Sequence, residues 1–220
     1  ASAFAVLGEV YGDILRAAGA TERLMELLHS KSDVQSPAHP QRAPWPEKGS
    51  SLVLRDVNFN YPSRPTQLAL NGLTGEVHAG QTVAVVGPSG AGKSTLIQLL
   101  ERMYDVENGT LLLDGNPIKD ISIKSIRSQI AYASQEPLLF SDTIYQNLLL
   151  ANTSATKEAI EQACKDACLY EEILNMPNQF NTIIGERGVL LSGGQKQRLG
   201  IARALLKKAP ILVLDDCLSA

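Results

Sequence analysis

Hydrophobic and polar positions change their spacing three times along this chain. In residues 1–28, Phe4, Leu7, Tyr11, Ile14, Ala18, Met25 and Leu28 recur at steps of three, four and seven, which puts them on one helical face. Glu9, Asp13, Arg16, Glu22, Arg23 and Glu26 take the opposite face and no proline intervenes, so the segment is predicted to be an amphipathic helix. Such a helix either packs on its own domain or is the end of something longer, since the chain opens abruptly in ASAFAVLG without Met. Between Ser30 and Ser50 the pattern stops: Pro37, Pro40, Pro44 and Pro46 stand among Ser, Gln and His, and residues 29–50 read as a linker. Trp45 within it is either a half-buried linker aromatic or an anchor onto the following domain.

From Ser51 onward the chain shows short β-rich runs at Leu52–Val57, Val83–Val86, Thr110–Leu113, Ile130–Ala133 and Ile211–Leu214, with helical patterns between several of them. That alternation predicts an α/β core. Thr82–Val86 reads as an apolar strand and Ile211–Leu214 as a fully buried one. A helical insertion fills much of Asp142–Met176, with apolar Ile160, Cys164, Ala167 and Leu174 at helical spacing. Cys164 and Cys168 stand one turn apart there and read as small core or surface-edge residues. The sequence contains no internal repeat.

Composition narrows the class. In 220 residues, 44% hydrophobic against 20% charged is material for a sizeable core, and 17 Gly with 11 Pro exclude collagen-like or low-complexity chains. Lys plus Arg total 20 and Asp plus Glu 23, so there is no broad basic field and no nucleic-acid partner is expected. The three cysteines fit neither a disulfide framework nor a four-ligand zinc site, which suggests a reducing compartment. No apolar run approaches the roughly 18–20 residues of a bilayer span, and Ala1–Gly8 lacks the positive region of a signal peptide.

Chemistry concentrates in three places. GPSGAGKS, comprising Gly87, Pro88, Ser89, Gly90, Ala91, Gly92, Lys93 and Ser94, follows the Thr82–Val86 run and leads through Thr95 into a helical pattern. Its glycines let successive N–H groups curl towards phosphate oxygens at a helix N-terminus; Lys93 would reach the β and γ phosphates, and Ser94 would offer its hydroxyl to Mg²⁺. ILVLDD then ends an apolar run with Asp215 where a metal is held and Asp216 where an attacking water can be polarised. Together these define a P-loop nucleoside triphosphatase. Third, LSGGQKQR, Leu191–Arg198, precedes a helical run and sets Ser192, Gly193 and Gly194 as a second N–H cluster for an anion.

The order and wording of these motifs resemble the ATP-binding cassette family over Leu52–Ala220, LSGGQ being its signature, Gln195 included. The resemblance implies a RecA-like P-loop core with an antiparallel β subdomain and an inserted α-helical subdomain at about 136–190. It implies Tyr61 as the aromatic that stacks on adenine. Gln135, in ASQEPLLF, would be the residue that senses metal and γ-phosphate and joins core to helical subdomain. Catalysis would fall to Lys93, Gln135 and Asp216, Mg²⁺ binding to Ser94, Gln135 and Asp215, and ATP contact to Tyr61 and Gly87–Thr95. Gly185–Gly188 is similar to the GERG-like loop that in exporters touches the transmembrane part. Residues 1–28, above all Leu15–Leu28, look like the cytoplasmic end of the last membrane helix of fused exporters.

By the same resemblance two cassettes would pair head to tail, each ATP lying between the phosphate loop of one and the signature of the other. The partner would be an identical or paralogous cassette with the transmembrane domains, at the cytoplasmic face of the plasma (inner) membrane. Two departures stand out. Asp216 takes a position where the family has Glu, and the following Cys217 and Leu218 are unusual. His29, His39 and His78 all precede the place of the family's switch histidine, and the sequence stops at Ser219-Ala220 in the D-loop. A fragment with weak hydrolysis on its own is expected. Two further readings stay open: a soluble cassette ATPase of the DNA-repair or translation type, and a regulatory cassette with a slow site marked by Asp216.

Overall fold

A computed structural model describes residues 2–30, 32–43, 45–46 and 48–216. Pro44, Cys217 and Leu218 lie outside the described residues. The chain divides into two compact units, residues 1–35 and 36–220. The first is built on helix α1, Ser2–His29. Its stripe residues Phe4, Leu7, Tyr11 and Ile14 are all exposed. Among the described residues no helix is long and apolar enough to cross a membrane.

The unit boundary falls inside the proline-rich stretch. Gln41 forms an isolated parallel bridge with Ile121, donating to the Asp120 carbonyl at 3.0 Å and accepting from Ser122 N–H at 3.0 Å. Ala43 N–H donates to Ser125 Oγ at 3.1 Å. Backbone groups of this stretch thus find partners in the second unit, whereas Trp45 is 55% exposed.

An antiparallel sheet opens the second unit, with strand order β2-β1-β3-β4 for β1 (Leu52–Asn60), β2 (Leu68–Val77), β3 (Asn108–Leu113) and β4 (Asn116–Pro117). In β1 strict alternation would bury Leu54, Asp56 and Asn58. A register shift after Leu54, with Asp56 at φ 49°, instead turns Leu54, Val57 and Phe59 inward. They pack with Leu70, Leu111, Leu113, Leu99 of α2 (Lys93–Leu100) and Ile126 of α3 (Ile123–Gln129). β2 was not visible in the hydrophobic pattern because Asn71, Gly72 and Gly75 interrupt it.

The parallel part of the core differs from expectation. β5 (Ile130–Ala133) and β6 (Ile211–Leu214) pair in parallel with Ile130 opposite Ile211 and Ala133 opposite Leu214. Residues 81–87, by contrast, form no strand, and Val85 and Val86 are 56% and 86% exposed. β6 is also not fully buried, Leu212 and Leu214 being 44% and 45% exposed. A parallel strand is buried by neighbours on its edges and helices on its faces. Among the described residues β6 is laddered only with β5 and no strand pairs with 82–86, so apolar side chains there stay in contact with solvent.

The helical insertion encloses a core of its own. It comprises α4 (Ile144–Leu149), α5 (Lys157–Asp166), α6 (Tyr170–Leu174) and, leading back to the core, α7 (Gly193–Leu206). Thr143, Thr156 and Ser192 cap α4, α5 and α7, each accepting from a backbone N–H three residues on. Ile144, Leu148, Ile160, Cys164, Ile173, Ile184 and Leu199 are wholly enclosed between these helices. Ile160, Cys164 and Ala167 are buried as expected; at the fourth position Leu174 is half-buried and its neighbour Ile173 fills the core. Cys168 is exposed.

Candidate nucleotide site

The phosphate loop is held by β2. Gly92, at φ 89°, is the N-cap of α2, and a Cβ there would stand 2.6 Å from the Ala69 carbonyl oxygen and 2.6 Å from Leu70 Cδ2. Both the left-handed conformation and the close strand therefore demand glycine. Gly92 brings no side-chain cap, which leaves the first-turn N–H groups of α2 available to an anion at the positive end of the helix dipole. Lys93 Nζ folds back over the loop and donates to the carbonyls of Gly87 at 2.8 Å and Pro88 at 2.9 Å. Ser94 is exposed and Thr95 is buried.

Tyr61 is fixed against the same helix. Its hydroxyl donates to Gln98 Oε1 at 2.8 Å, so its one proton is spent and Thr95 Oγ1, also at 2.8 Å, is the donor of the second bond. The ring meets Phe59 edge-on at 5.1 Å and Tyr104 at 5.5 Å between centroids. These contacts tie Tyr61 to the helix that the phosphate loop opens, 34 residues further along the chain.

A second group gathers at the end of β6. Asp215 N–H donates to the Ala133 carbonyl at 3.0 Å, extending the β5–β6 ladder by one bond. Asp215 Oδ2 accepts from the Tyr132 hydroxyl at 3.1 Å; burial first, and this bond second, push the Tyr132 phenol up to about 12. Asp216, at φ 47°, accepts at Oδ2 from Gln135 Nε2 at 3.1 Å. The structure thus joins two residues that lie 81 positions apart. The Ser94 hydroxyl and the Asp215 carboxylate are hard oxygen donors that suit Mg²⁺. Among the described residues no group of three or more His, Cys, Asp or Glu could hold a metal.

The third group is the signature. Ser192 Oγ accepts from Gln195 N–H at 3.2 Å while Gln195 Oε1 accepts from Ser192 N–H at 2.9 Å, a reciprocal capping box at the start of α7. Ser192 and Gly193 are exposed, and a Cβ at Gly193 would meet nothing within 4 Å. The segment after Gln135 lies along the same helix, Arg203 donating to the Leu138 carbonyl at 2.8 Å. Buried Asn147 pins that segment, accepting from Phe140 N–H at 2.9 Å and donating to its carbonyl at 3.0 Å. In the Gly185–Gly188 loop Gly188 lies at φ 65°, where a Cβ would come within 2.7 Å of Leu139 Cδ1. Sequence reasoning missed Tyr132, Asn147 and Glu172. A buried Asn in an apolar helical run is a signal in retrospect; a Glu on a charged helix face is not.

The family model described as ABC transporter matches residues 70–219. The chain is 45% identical over 204 residues to multidrug resistance protein pgp-1 of Caenorhabditis elegans, covering 93% of this chain and 15% of that protein. It is 43% identical over 219 residues to ABC transporter B family member 4 of Dictyostelium discoideum, covering 100% of this chain and 28% of that one. The chain thus spans less than a third of these curated relatives. A solved structure of a bacterial Atm1-family ABC exporter with ATP bound superposes with a TM-score of 0.87 at 36% identity, over 98% of this chain and 37% of that one. Phosphate loop, acidic strand end and signature occur here in one α/β fold with an inserted helical subdomain, and this chain belongs to the ABC transporter family, of which it spans the nucleotide-binding domain.

Proposed function

We propose that this chain is the ATP-binding and ATP-hydrolysing motor domain of an exporter-type ABC transporter. The observation that carries the reading is the pair of glycine-bearing helix N-termini: α2 behind uncapped Gly92, with Lys93 folded over its loop, and α7 behind Ser192, capped but exposed at Ser192 and Gly193. One surface binds the phosphates of a nucleotide and the other completes the site of a second cassette, identical or paralogous, in a head-to-tail pair. Lys93 neutralises the β and γ phosphates, Tyr61 offers its ring to the adenine and Asp216 orients the attacking water. Ser94 and Asp215, with Gln135, would hold Mg²⁺, which when bound supplies charge neutralisation at the phosphate oxygens. The relatives support placing residues 51–220 as the nucleotide-binding domain with its helical subdomain at about 136–190. Residues 1–28 would then be the cytoplasmic end of a last membrane helix and 29–50 its linker, on the cytoplasmic face of the membrane.

The test is a split between two variants in the full-length transporter. Lys93→Ala removes a charge-assisted contact worth about 1.5–3 kcal/mol, so ATP affinity should fall at least about tenfold. Gly193→Asp should leave ATP binding to the open state nearly intact and stop nucleotide trapping in the closed pair. Equal ATP affinity of Lys93→Ala and wild type in calorimetry refutes the phosphate-loop assignment.

Asp216 supports a second reading, a slow site. Its carboxylate is one methylene shorter than glutamate and is engaged by Gln135 at 3.1 Å. A reach shorter by about 1 Å can cost up to about a hundredfold in rate. With the partner site disabled, Asp216→Glu should accelerate single-turnover hydrolysis; fast and equal rates in both proteins would discard the slow-site reading.

A further inference from the structure

Behind the signature loop stands a carboxylate that belongs to none of the motifs. Glu172 sits on α6, next to Ile173, which is fully enclosed in the helical core, so the backbone that carries it is anchored. Its Oε1 accepts from Arg198 Nη2 at 2.6 Å and its Oε2 from Gln195 Nε2 at 3.0 Å. Both partners lie on the first turns of α7, and the ion pair is only partly exposed, with side-chain exposures of 32% for Arg198 and 40% for Glu172. The other end of the Gln195 amide is the acceptor that closes the capping box on Ser192 N–H at 2.9 Å.

The chemistry of these groups gives the arrangement a direction. An amide side chain has one donor end and one acceptor end, and either can be turned towards a neutral neighbour. An ionised carboxylate only accepts. Glu172 therefore binds the NH₂ end of Gln195 and points its carbonyl oxygen at Ser192 N–H, the orientation the capping box needs. With that N–H and the Gln195 N–H both satisfied within the box, the N–H groups of exposed Gly193 and half-buried Gly194 are left for an incoming anion. Arg198 balances the charge of Glu172, so the carboxylate orients the loop without repelling an incoming phosphate.

We infer that Glu172 is a positioning residue for the signature: held by Arg198, it fixes the Gln195 amide and so presets the N-terminus of α7 for the nucleotide bound by the partner cassette. The inference rests on the head-to-tail reading above, and its test separates the two. Glu172→Gln is nearly isosteric, so packing is kept while the accept-only character and the charge are lost. In the full-length transporter, three quantities are measured for wild type, Glu172→Gln, Gln195→Ala, the double variant and Gly193→Asp. They are ATP affinity of the open state, the amount of vanadate-trapped nucleotide in the closed pair, and the thermal midpoint.

For Glu172→Gln the expected result is open-state ATP affinity within about twofold of wild type and trapping lowered about fivefold or more, the scale of one charge-assisted hydrogen bond. The thermal midpoint should stay close to that of wild type, and the double variant should trap no less than Gln195→Ala alone. Unchanged trapping by Glu172→Gln while Gly193→Asp abolishes it overturns this inference and leaves the head-to-tail reading standing. Trapping losses that add in the double variant also overturn it, because Glu172 would then not act through Gln195. Intact trapping in Gly193→Asp overturns the head-to-tail reading itself. If Glu172→Gln fails to assemble, Glu172→Ala takes its place, and wild-type trapping in that variant counts equally against the proposal.

Discussion

The helical insertion and the parallel-strand region are both rich in apolar residues, yet they end in opposite states. In the first, Ile144, Leu148, Ile160, Ile173 and Leu199 come from three short helices and a returning long one that face one another, and all are shut off from solvent. In the second, Val85, Val86, Leu212 and Leu214 are just as hydrophobic and remain exposed. Amphipathic helices satisfy their own backbone and need a partner on one face only. A parallel strand needs a ladder on each edge and cover on both faces. Apolarity states a requirement; whether it is met depends on which neighbours the described residues supply.

The contrast can be broken most directly in the core. Leu148→Ala, at a site with no solvent exposure, should cost about 2–5 kcal/mol, lost transfer energy plus a cavity between α4, α5 and α7. Val85→Ala, at a half-exposed position outside any strand, should cost less than about 1 kcal/mol. Thermal unfolding, with hydrogen exchange to localise the loss, measures both. A Val85→Ala penalty as large as that of Leu148→Ala would show that the 82–86 run is enclosed, and the two regions would no longer differ.

A smaller effect sharpens the comparison at the seam where the helical region meets the segment after Gln135. Gly188→Ala forces a side chain into φ 65° and puts a Cβ within 2.7 Å of Leu139 Cδ1. Left-handed strain of roughly 1–2 kcal/mol and the displacement of Leu139 should together lower stability by about 1–3 kcal/mol. Hydrogen exchange should rise first in the peptides around Leu139 and Leu190. Exchange that rises only in the antiparallel sheet would mean that Gly188 is not part of the helical region's closure.

The sequence was most readable where one local rule was sufficient. Ser192 and Gln195 have capping-box spacing, and the box is there. GPSGAGKS announced a glycine-lined helix start, and Gly92 is left-handed under β2. Ile130–Ala133 and Ile211–Leu214 were correct as strands to the residue. Long-range geometry was hidden. The shift at Asp56 that turns Val57 and Phe59 inward leaves no periodic trace, and β2 is masked by its own Asn71, Gly72 and Gly75. Thr95 and Gln98 as partners of Tyr61, and Glu172 as partner of Gln195, depend on which elements the fold brings together. The error at Val83–Val86 has the same origin.

The smallest expected effect lies at the end of α5 and reverses the usual sign. Leu169 N–H donates to the Cys164 carbonyl at 2.9 Å and Cys168 N–H to the Lys165 carbonyl at 2.9 Å, the two bonds of a Schellman motif with Cys168 at the left-handed position. Cys168 sits at φ 55°, where glycine carries no Cβ penalty, and its side chain is exposed. Cys168→Gly removes roughly 1–2 kcal/mol of left-handed strain. It also adds chain entropy to the unfolded state, about 0.4–1 kcal/mol in the opposite direction. The balance is a gain of about 0.5 kcal/mol, read as slower amide exchange along α5. Faster exchange in that helix would mean that the Cys168 side chain contributes packing that its exposure denies, and that the helical region relies on its rim as well as on its core.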